Sequence, residues 1–119
     1  MTYIRRRKDA FRYAFSGIIA SVRNEHHMRI HLVAAAIATA AGLYFRIGAM
    51  EWVAVIGCIV LVMVCELFNT AVERICDLIR VTQDPRIKYI KDISSGAVLL
   101  SCILALAVAA AVFCPKLLC

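Results

Sequence analysis

Five polar side chains recur at helical spacing within one otherwise apolar stretch of the chain. Glu66, Asn69, Thr70, Glu73 and Asp77 stand at positions i, i+3, i+4, i+7 and i+11. On an α-helix this spacing places all five on one face. Ionisable groups inside a membrane span are costly unless they face a protein interior or water, so their alignment predicts a shared polar site.

Glu66 is the deepest of these side chains within the apolar stretch. It precedes Glu73 by seven residues, which corresponds to roughly 10 Å along a helix axis. A carboxylate at that depth is suited to accept a proton from a hydroxyl group that arrives from the lipid side. A structural alternative exists for the other polar residues. Asn69 and Thr70 would then join helices through hydrogen bonds, and the remaining acids would simply lie at the membrane interface.

Further charged residues are expected at the same edge of the protein. Glu25 comes just before the first apolar run, and Lys91 and Asp92 lead into the third. Spans of alternating direction bring these edges to one level, so Glu25, Glu73 and Asp92 are expected to converge near Lys91. Carboxylates at a water-accessible edge are suited to Mg²⁺, which prefers oxygen ligands and substrate phosphates.

A metal-phosphate site beside a buried base indicates phosphoryl transfer from a soluble nucleotide to a lipid hydroxyl. The chain contains no Walker A sequence, kinase glycine-rich loop or kinase catalytic-loop signature, and its five glycines are scattered. Any nucleotide site must therefore be built from side chains on helices.

Two other classes of protein compete with this interpretation. A small proton-coupled transporter would use Glu66 as a proton relay, but it leaves the charged groups at the edge unexplained. A non-catalytic subunit of a membrane complex would require that the whole polar face serve only to join helices.

The elements that must position these residues are membrane-spanning helices. Hydrophobic residues make up 63% of the 119 residues and charged residues only 18%, which excludes a soluble, disordered or multidomain protein. Apolar runs predict transmembrane helices at about residues 30–48, 52–73 and 93–115. We therefore predict an all-α membrane protein in which residues 1–119 form a single integral-membrane domain.

Basic residues give these spans a direction. Seven of the 14 Lys and Arg residues lie within residues 1–29 and five within 74–92, whereas only Arg46 and Lys116 lie at the other ends of the spans. The positive-inside rule then predicts a cytoplasmic N-terminus, a cytoplasmic 74–92 loop and an external C-terminus. The formal net charge of +6 is thus explained without a nucleic-acid partner.

An amphipathic segment precedes the first span, within residues 1–29. Apolar residues between residues 9 and 22 recur at helical spacing, namely Phe11, Phe15, Ile18, Ile19 and Val22. This stripe predicts a surface helix on the inner leaflet, although packing against another protein surface would give the same pattern. Before the third span, Asp84-Pro85 predicts a turn.

Several other residues are expected to be structural. Tyr44 and Trp52 flank the connection after the first span, as is typical of aromatic anchors at a membrane interface. Alanines and Gly42 between residues 34 and 42 permit close helix approach. The six cysteines show no ligand spacing and are expected to be free thiols.

Two sequence motifs carry a resemblance to a known family. The first is Glu66-Leu-Phe-Asn-Thr-Ala-Val-Glu73-Arg-Ile-Cys-Asp77, and the second is Lys91-Asp92-Ile-Ser-Ser-Gly-Ala-Val98. Phe11-x-x-Ala14-x-x-Gly17, Asn24-Glu25 and the three-span layout extend the similarity over nearly the whole chain. The sequence resembles the prokaryotic diacylglycerol kinase and undecaprenol kinase family.

The resemblance implies a lipid kinase of the bacterial plasma membrane that transfers the γ-phosphate of ATP, with Mg²⁺, to a lipid alcohol. It also implies a homotrimer whose active sites form between neighbouring protomers. Glu66 matches the family's general base, and Glu25 and Glu73 match its metal-binding glutamates. Positions that match nucleotide contacts are Arg6, Tyr13, Glu25, Glu73, Thr82, Gln83, Asp84, Lys91 and Asp92. Asn69 and Ser95 match polar positions near the base and the lipid.

Weaker features of the same resemblance concern the acceptor lipid. His31 follows Glu25 by six residues, and Phe113-Cys-Pro-Lys116 lies near the last residue; both resemble the undecaprenol kinase branch. Undecaprenol is therefore the expected acceptor, and the alternative is diacylglycerol, which would be converted to phosphatidic acid. His31 also has a simpler interpretation, as an interfacial residue hydrogen-bonded near the start of the first span.

Overall fold

The computed structural model describes residues 3–79 and 84–118, and these form four α-helices. They are α1 (Tyr3–Asn24), α2 (His26–Phe45), α3 (Ala49–Ile79) and α4 (Pro85–Leu118). The prediction of an all-α chain is confirmed. The helices α2, α3 and α4 are each long and apolar enough to cross a membrane, as the three apolar runs predicted.

Local capping explains where α4 begins, eight residues before the apolar run at 93–115. The Asp84 carboxylate accepts a hydrogen bond from the backbone N–H of Arg86 at 2.8 Å. Pro85 occupies the first helical position, where a missing N–H is harmless. The turn expected at Asp84-Pro85 is thus the capped start of α4.

A tight turn joins α2 to α3. Arg46 adopts a left-handed conformation (φ 52°, ψ 54°), so α2 ends at Phe45, three residues before the expected end of the first span. The backbone N–H of Ile47 donates to the carbonyl of Gly42 at 3.2 Å, which satisfies a carbonyl at the helix end. The N–H of Gly48 donates to the Glu51 carboxylate at 3.1 Å in the first turn of α3.

Apolar packing holds the helices together beside this turn, in a region that we call the closed end. Its buried residues are Ile47, Val55 and Val112, and partly buried side chains such as Phe45 and Phe113 pack against them. Gly42 lets the ring of Trp52 approach α2, since an added Cβ would lie 2.6 Å from that ring. Trp52, expected as an interface anchor, is therefore also part of the helix packing.

The remainder of the bundle is packed unevenly. α3 and α4 have the most extensive contact, α2 packs mainly on α3, and α2 meets α4 only lightly. Many large apolar side chains are exposed in the single chain; Leu106, for example, is 71% exposed. Lipid or other copies of the protein must cover this surface.

The first helix stands apart from the main packing. Phe11 and Phe15 on α1 are more than 60% exposed. Among the four described helices, α1 contacts α2 and α3 but not α4. A helix is present where the amphipathic stripe predicted one. Its place on the inner leaflet and the orientation of the spans stay predictions.

Candidate active site

Glu66 lies on α3 and is only 4% exposed. Its Oε2 atom is 3.4 Å from Nε2 of His31, which α2 supplies. Among the residues that the structure describes, no other side chain forms a hydrogen bond or an ion pair with Glu66. The carboxyl group therefore faces the interior of the bundle and not the surrounding lipid.

Asn69, one turn further along α3, connects this buried position to the next acid. Its amide nitrogen donates to Oε1 of Glu73 at 3.4 Å. Its amide oxygen is buried and has no hydrogen-bond partner among the described residues. A buried polar atom without a partner is costly, so this oxygen is available to a donor or a cation that enters the site.

A group of charged residues, which we call the rim cluster, lies at the same end of the bundle: Glu25, Glu73, Arg74, Asp77 and Lys91. The Arg74 guanidinium donates to Oε1 of Glu25, and the Lys91 ammonium donates to Oδ1 of Asp77 at 2.9 Å. The hydrogen bond to Glu25 raises the pKa of Arg74, the hydrogen bond to Asp77 raises the pKa of Lys91, and the charge of Glu73 adds a smaller effect in the same direction to both. The rim cluster thus unites α3, α4 and the joint between α1 and α2.

The joint itself consists of Glu25 alone. This residue has extended backbone angles (φ −111°, ψ 119°) between the last residue of α1 and the first of α2. Its side chain is directed to α3 by the ion pair with Arg74. The backbone therefore places a carboxylate at the edge of the site without a loop.

Two other residues that the resemblance assigned to the nucleotide, Asp84 and Asp92, form ion pairs with residues outside the rim cluster. Asp92 is paired with Lys88, one turn earlier on α4, at 2.6 Å. The Asp84 carboxylate is engaged by Arg86, with 3.0 Å between Oδ2 and the guanidinium. Thr82 and Gln83 lie outside the described residues.

Three further predicted site residues are exposed on the helix surface. Arg6 and Tyr13 lie on α1, where the Tyr13 ring is covered by the guanidinium of Arg12 at 5.4 Å. Ser95 lies on the exposed face of α4. Within the described part of the chain, none of the three forms a hydrogen bond or an ion pair with the rim cluster.

The expected meeting of Glu25, Glu73 and Asp92 is not found within one chain. Among residues 3–79 and 84–118, no group of three or more His, Cys, Asp or Glu side chains is arranged to hold a metal ion. Asp92 forms an i, i+4 pair with Lys88 on the exposed surface of α4 instead. The hard oxygen donors at this end include the carboxylates of Glu25, Glu73 and Asp77, each paired with a neighbouring side chain, and the unpartnered oxygen of Asn69. Such donors suit Mg²⁺.

Sequence reasoning missed two contacts of the site. His31, interpreted as a simple interfacial residue, lies against Glu66. Arg74, counted only among the basic residues, binds Glu25. Arg74 lies beside the polar face of α3, four residues after Thr70, so helical spacing could have predicted it as a site residue. The contact between His31 and Glu66 could not be predicted in this way, because it depends on the register of α2 against α3.

An apolar groove of about 580 Å³ lies among α2, α3 and α4. On α2 its lining extends from His31 to Phe45, which is roughly 21 Å along the helix axis. Small residues such as Ala35 and Ala38 leave this space open, and Phe113 and Leu117 line its far end. The groove therefore runs from the partner of Glu66 to the closed end.

Known proteins are similar to this chain over most of its length. The sequence profile described as prokaryotic diacylglycerol kinase matches residues 12–113. An undecaprenol kinase of Bacillus subtilis is 31% identical over 108 residues, which cover 91% of this chain and 88% of that protein. A diacylglycerol kinase of Synechocystis sp. is 37% identical over 112 residues, which cover 92% of this chain but only 63% of that protein. The range 12–113 contains Glu66 and the whole rim cluster.

Proposed function

The chain belongs to the prokaryotic diacylglycerol kinase family, a family of lipid kinases, and on this premise we propose that it phosphorylates undecaprenol with ATP in the bacterial plasma membrane. The observation that carries the proposal is the buried carboxyl group of Glu66, on the helix face that leads to the rim cluster. The relatives give no support to a proton-coupled transporter.

In the proposed reaction, Glu66 accepts the proton of the lipid hydroxyl group. The hydroxyl oxygen forms a bond to the γ-phosphorus of ATP, and the bond from that phosphorus to the β,γ-bridging oxygen breaks. The products are the lipid phosphate and ADP. The lipid alcohol would reach Glu66 from the membrane, and ATP would reach the rim cluster from the water.

The rim cluster would bind the triphosphate. Glu25 and Glu73 would hold Mg²⁺, which neutralises phosphate charge when bound. Arg74 orients the Glu25 carboxylate, and Asn69 orients that of Glu73. Lys91 supplies a further positive charge beside Asp77.

A homotrimer would complete the site. Within the described part of its own chain, Asp92 pairs with Lys88, and the exposed Arg6, Tyr13 and Ser95 form no hydrogen bond or ion pair with the rim cluster. Much of the apolar helix surface is also uncovered. A neighbouring protomer would bring such residues to a shared site. Thr82, Gln83 and Asp84 are proposed as further nucleotide contacts.

The groove supports undecaprenol as the acceptor. Apart from His31, its lining is formed by aliphatic and aromatic side chains and two cysteines. A polyprenol has one hydrocarbon chain and no ester groups next to its hydroxyl, so it needs no further polar partner there. Diacylglycerol is the second candidate, favoured by the identity of 37% to the Synechocystis enzyme.

Purified protein in detergent micelles tests the proposal directly. The γ-phosphate of labelled ATP is followed into lipid with undecaprenol, with diacylglycerol and with neither, in the presence and absence of Mg²⁺. We expect labelled undecaprenyl phosphate, formed only when Mg²⁺ and the lipid alcohol are both present. Labelling of diacylglycerol alone would reassign the acceptor, and no labelled lipid from either alcohol would overturn the kinase proposal.

A further inference from the structure

The proposed reaction leaves one buried contact without a role. His31 is the single described side chain paired with Glu66, at 3.4 Å between Nε2 and Oε2, and its own side chain is 18% exposed. It also lines the groove. The two histidines before it differ, since His26 and His27 are exposed and their rings lie 6.1 Å apart.

The chemistry required of Glu66 conflicts with its surroundings. Removal from water disfavours a carboxylate charge, but a general base must be ionised and must direct an oxygen at the proton that it accepts. Asn69, the neighbouring amide, donates to Glu73 instead. The imidazole of His31 is therefore the described group that can donate a hydrogen bond to the Glu66 carboxylate.

We infer that His31 is a positioning residue for the lipid-kinase reaction, which donates from Nε2 to Oε2 of Glu66 and so keeps that carboxylate charged and oriented. The other oxygen, Oε1, is left for the lipid hydroxyl group. A neutral imidazole with its proton on Nε2 is sufficient for this donation. The inference rests on the proposed function, because it takes Glu66 as the base.

Three substitutions separate donation from mere packing. His31→Gln retains an N–H donor near the position of Nε2, whereas His31→Leu keeps apolar bulk and removes the donor. His31→Phe keeps an aromatic ring without a donor and replaces the leucine variant if the latter fails to assemble. His27→Leu on the exposed face of the same helix is the matched control.

The first measurement does not depend on catalysis. Dicyclohexylcarbodiimide enters membranes and micelles and reacts with neutral carboxylic acids, and its addition to Glu66 can be followed by mass spectrometry at neutral pH. Loss of a charged hydrogen bond is expected to speed this labelling about tenfold in His31→Leu. His31→Gln and His27→Leu should stay within about twofold of the wild-type rate. An unchanged rate in His31→Leu would overturn the inference.

The second measurement is the rate of lipid phosphorylation. We expect His31→Leu to lower kcat about 10- to 100-fold with the KM for ATP nearly unchanged, and His31→Gln to restore kcat to within about threefold of wild type. A glutamine variant as slow as the leucine variant would also overturn the inference, because donation alone would not then account for the role of His31.

The two measurements separate this inference from the proposed function. If the labelling pattern is as expected but the wild-type protein phosphorylates no lipid alcohol, the proposed function fails while the effect of His31 on Glu66 stands. If the wild-type protein is active and the labelling rates are all equal, the proposed function stands and the inference about His31 fails.

Discussion

The two ends of the helix bundle differ in the kind of side chains that they bury. At the closed end, a short turn joins α2 to α3 and apolar side chains such as Ile47 and Val112 fill the space between helices. At the other end, α3 buries Glu66 and Asn69, and one amide oxygen has no partner among the described residues. Polar burial without full satisfaction lowers stability and is characteristic of functional sites. Under the proposed function, the well-packed closed end would compensate for the less favourable polar burial near Glu66.

The strongest test of this division is Glu66→Gln. The amide keeps the shape of the side chain but cannot accept the hydroxyl proton, so we expect kcat to fall about 10²- to 10⁴-fold with nucleotide binding retained. Lipid phosphorylation and binding of a fluorescent ATP analogue measure the two quantities. Glu51→Gln, which changes a carboxylate of the closed end, serves as the control and should alter kcat less than about twofold. Full activity in Glu66→Gln would remove the base from this position.

Glu73→Gln should have the next largest effect. Loss of one carboxylate oxygen donor is expected to raise both the Mg²⁺ concentration for half-maximal rate and the KM for ATP, by about 10- to 100-fold. A Mg²⁺ titration at several ATP concentrations measures this. Asp9→Asn, which changes a half-buried acid on α1 that pairs with Arg12, is the control. An unchanged Mg²⁺ requirement would separate Glu73 from the metal.

Gly42→Ala tests the apolar packing of the closed end. The added methyl group would lie 2.6 Å from the Trp52 ring, so we expect the free energy of unfolding to fall by about 1–2 kcal/mol. Trp52 is the one tryptophan of the chain, and its fluorescence during denaturation in detergent reports on this region. The control is Gly57→Ala, where the added atom meets nothing within 4 Å. Equal stability of the two variants would show that the ring yields without cost.

Lys116→Ala should have the smallest effect. Its ammonium group lies 3.4 Å from Glu51 with both side chains about one third exposed, and such a pair contributes less than about 1 kcal/mol. Denaturation and lipid phosphorylation should both remain close to wild type. A large loss of stability would mean that charge, and not apolar packing, holds the closed end together.

Apolar runs and helical spacing predict much of this protein, because both depend on neighbours in sequence. The four helices and the shared face of Glu66, Asn69 and Glu73 are of this kind. The ends of the helices are harder to predict. Arg46 ends α2 in a left-handed conformation, although glycine is the residue that usually marks such a position.

Contacts between helices lay beyond sequence reasoning. The pairs of His31 with Glu66 and of Glu25 with Arg74 depend on the register of α2 against α3. Asp92 was expected near Glu73 because both lie at one edge, but a lysine one turn away on its own helix is the nearer partner. The ion pair within α4 therefore formed in place of the expected contact between Asp92 and Glu73 on α3.

The joint at Glu25 has a consequence for how the protein can vary. A single residue both sets the direction in which α1 leaves the bundle and carries the carboxylate that binds Arg74. Lengthening or shortening the chain at that point would displace the carboxylate along with the helix. We therefore expect insertions and deletions to occur away from Glu25. The ion pair between Glu25 and Arg74 fixes both the start of α2 and the edge of the site.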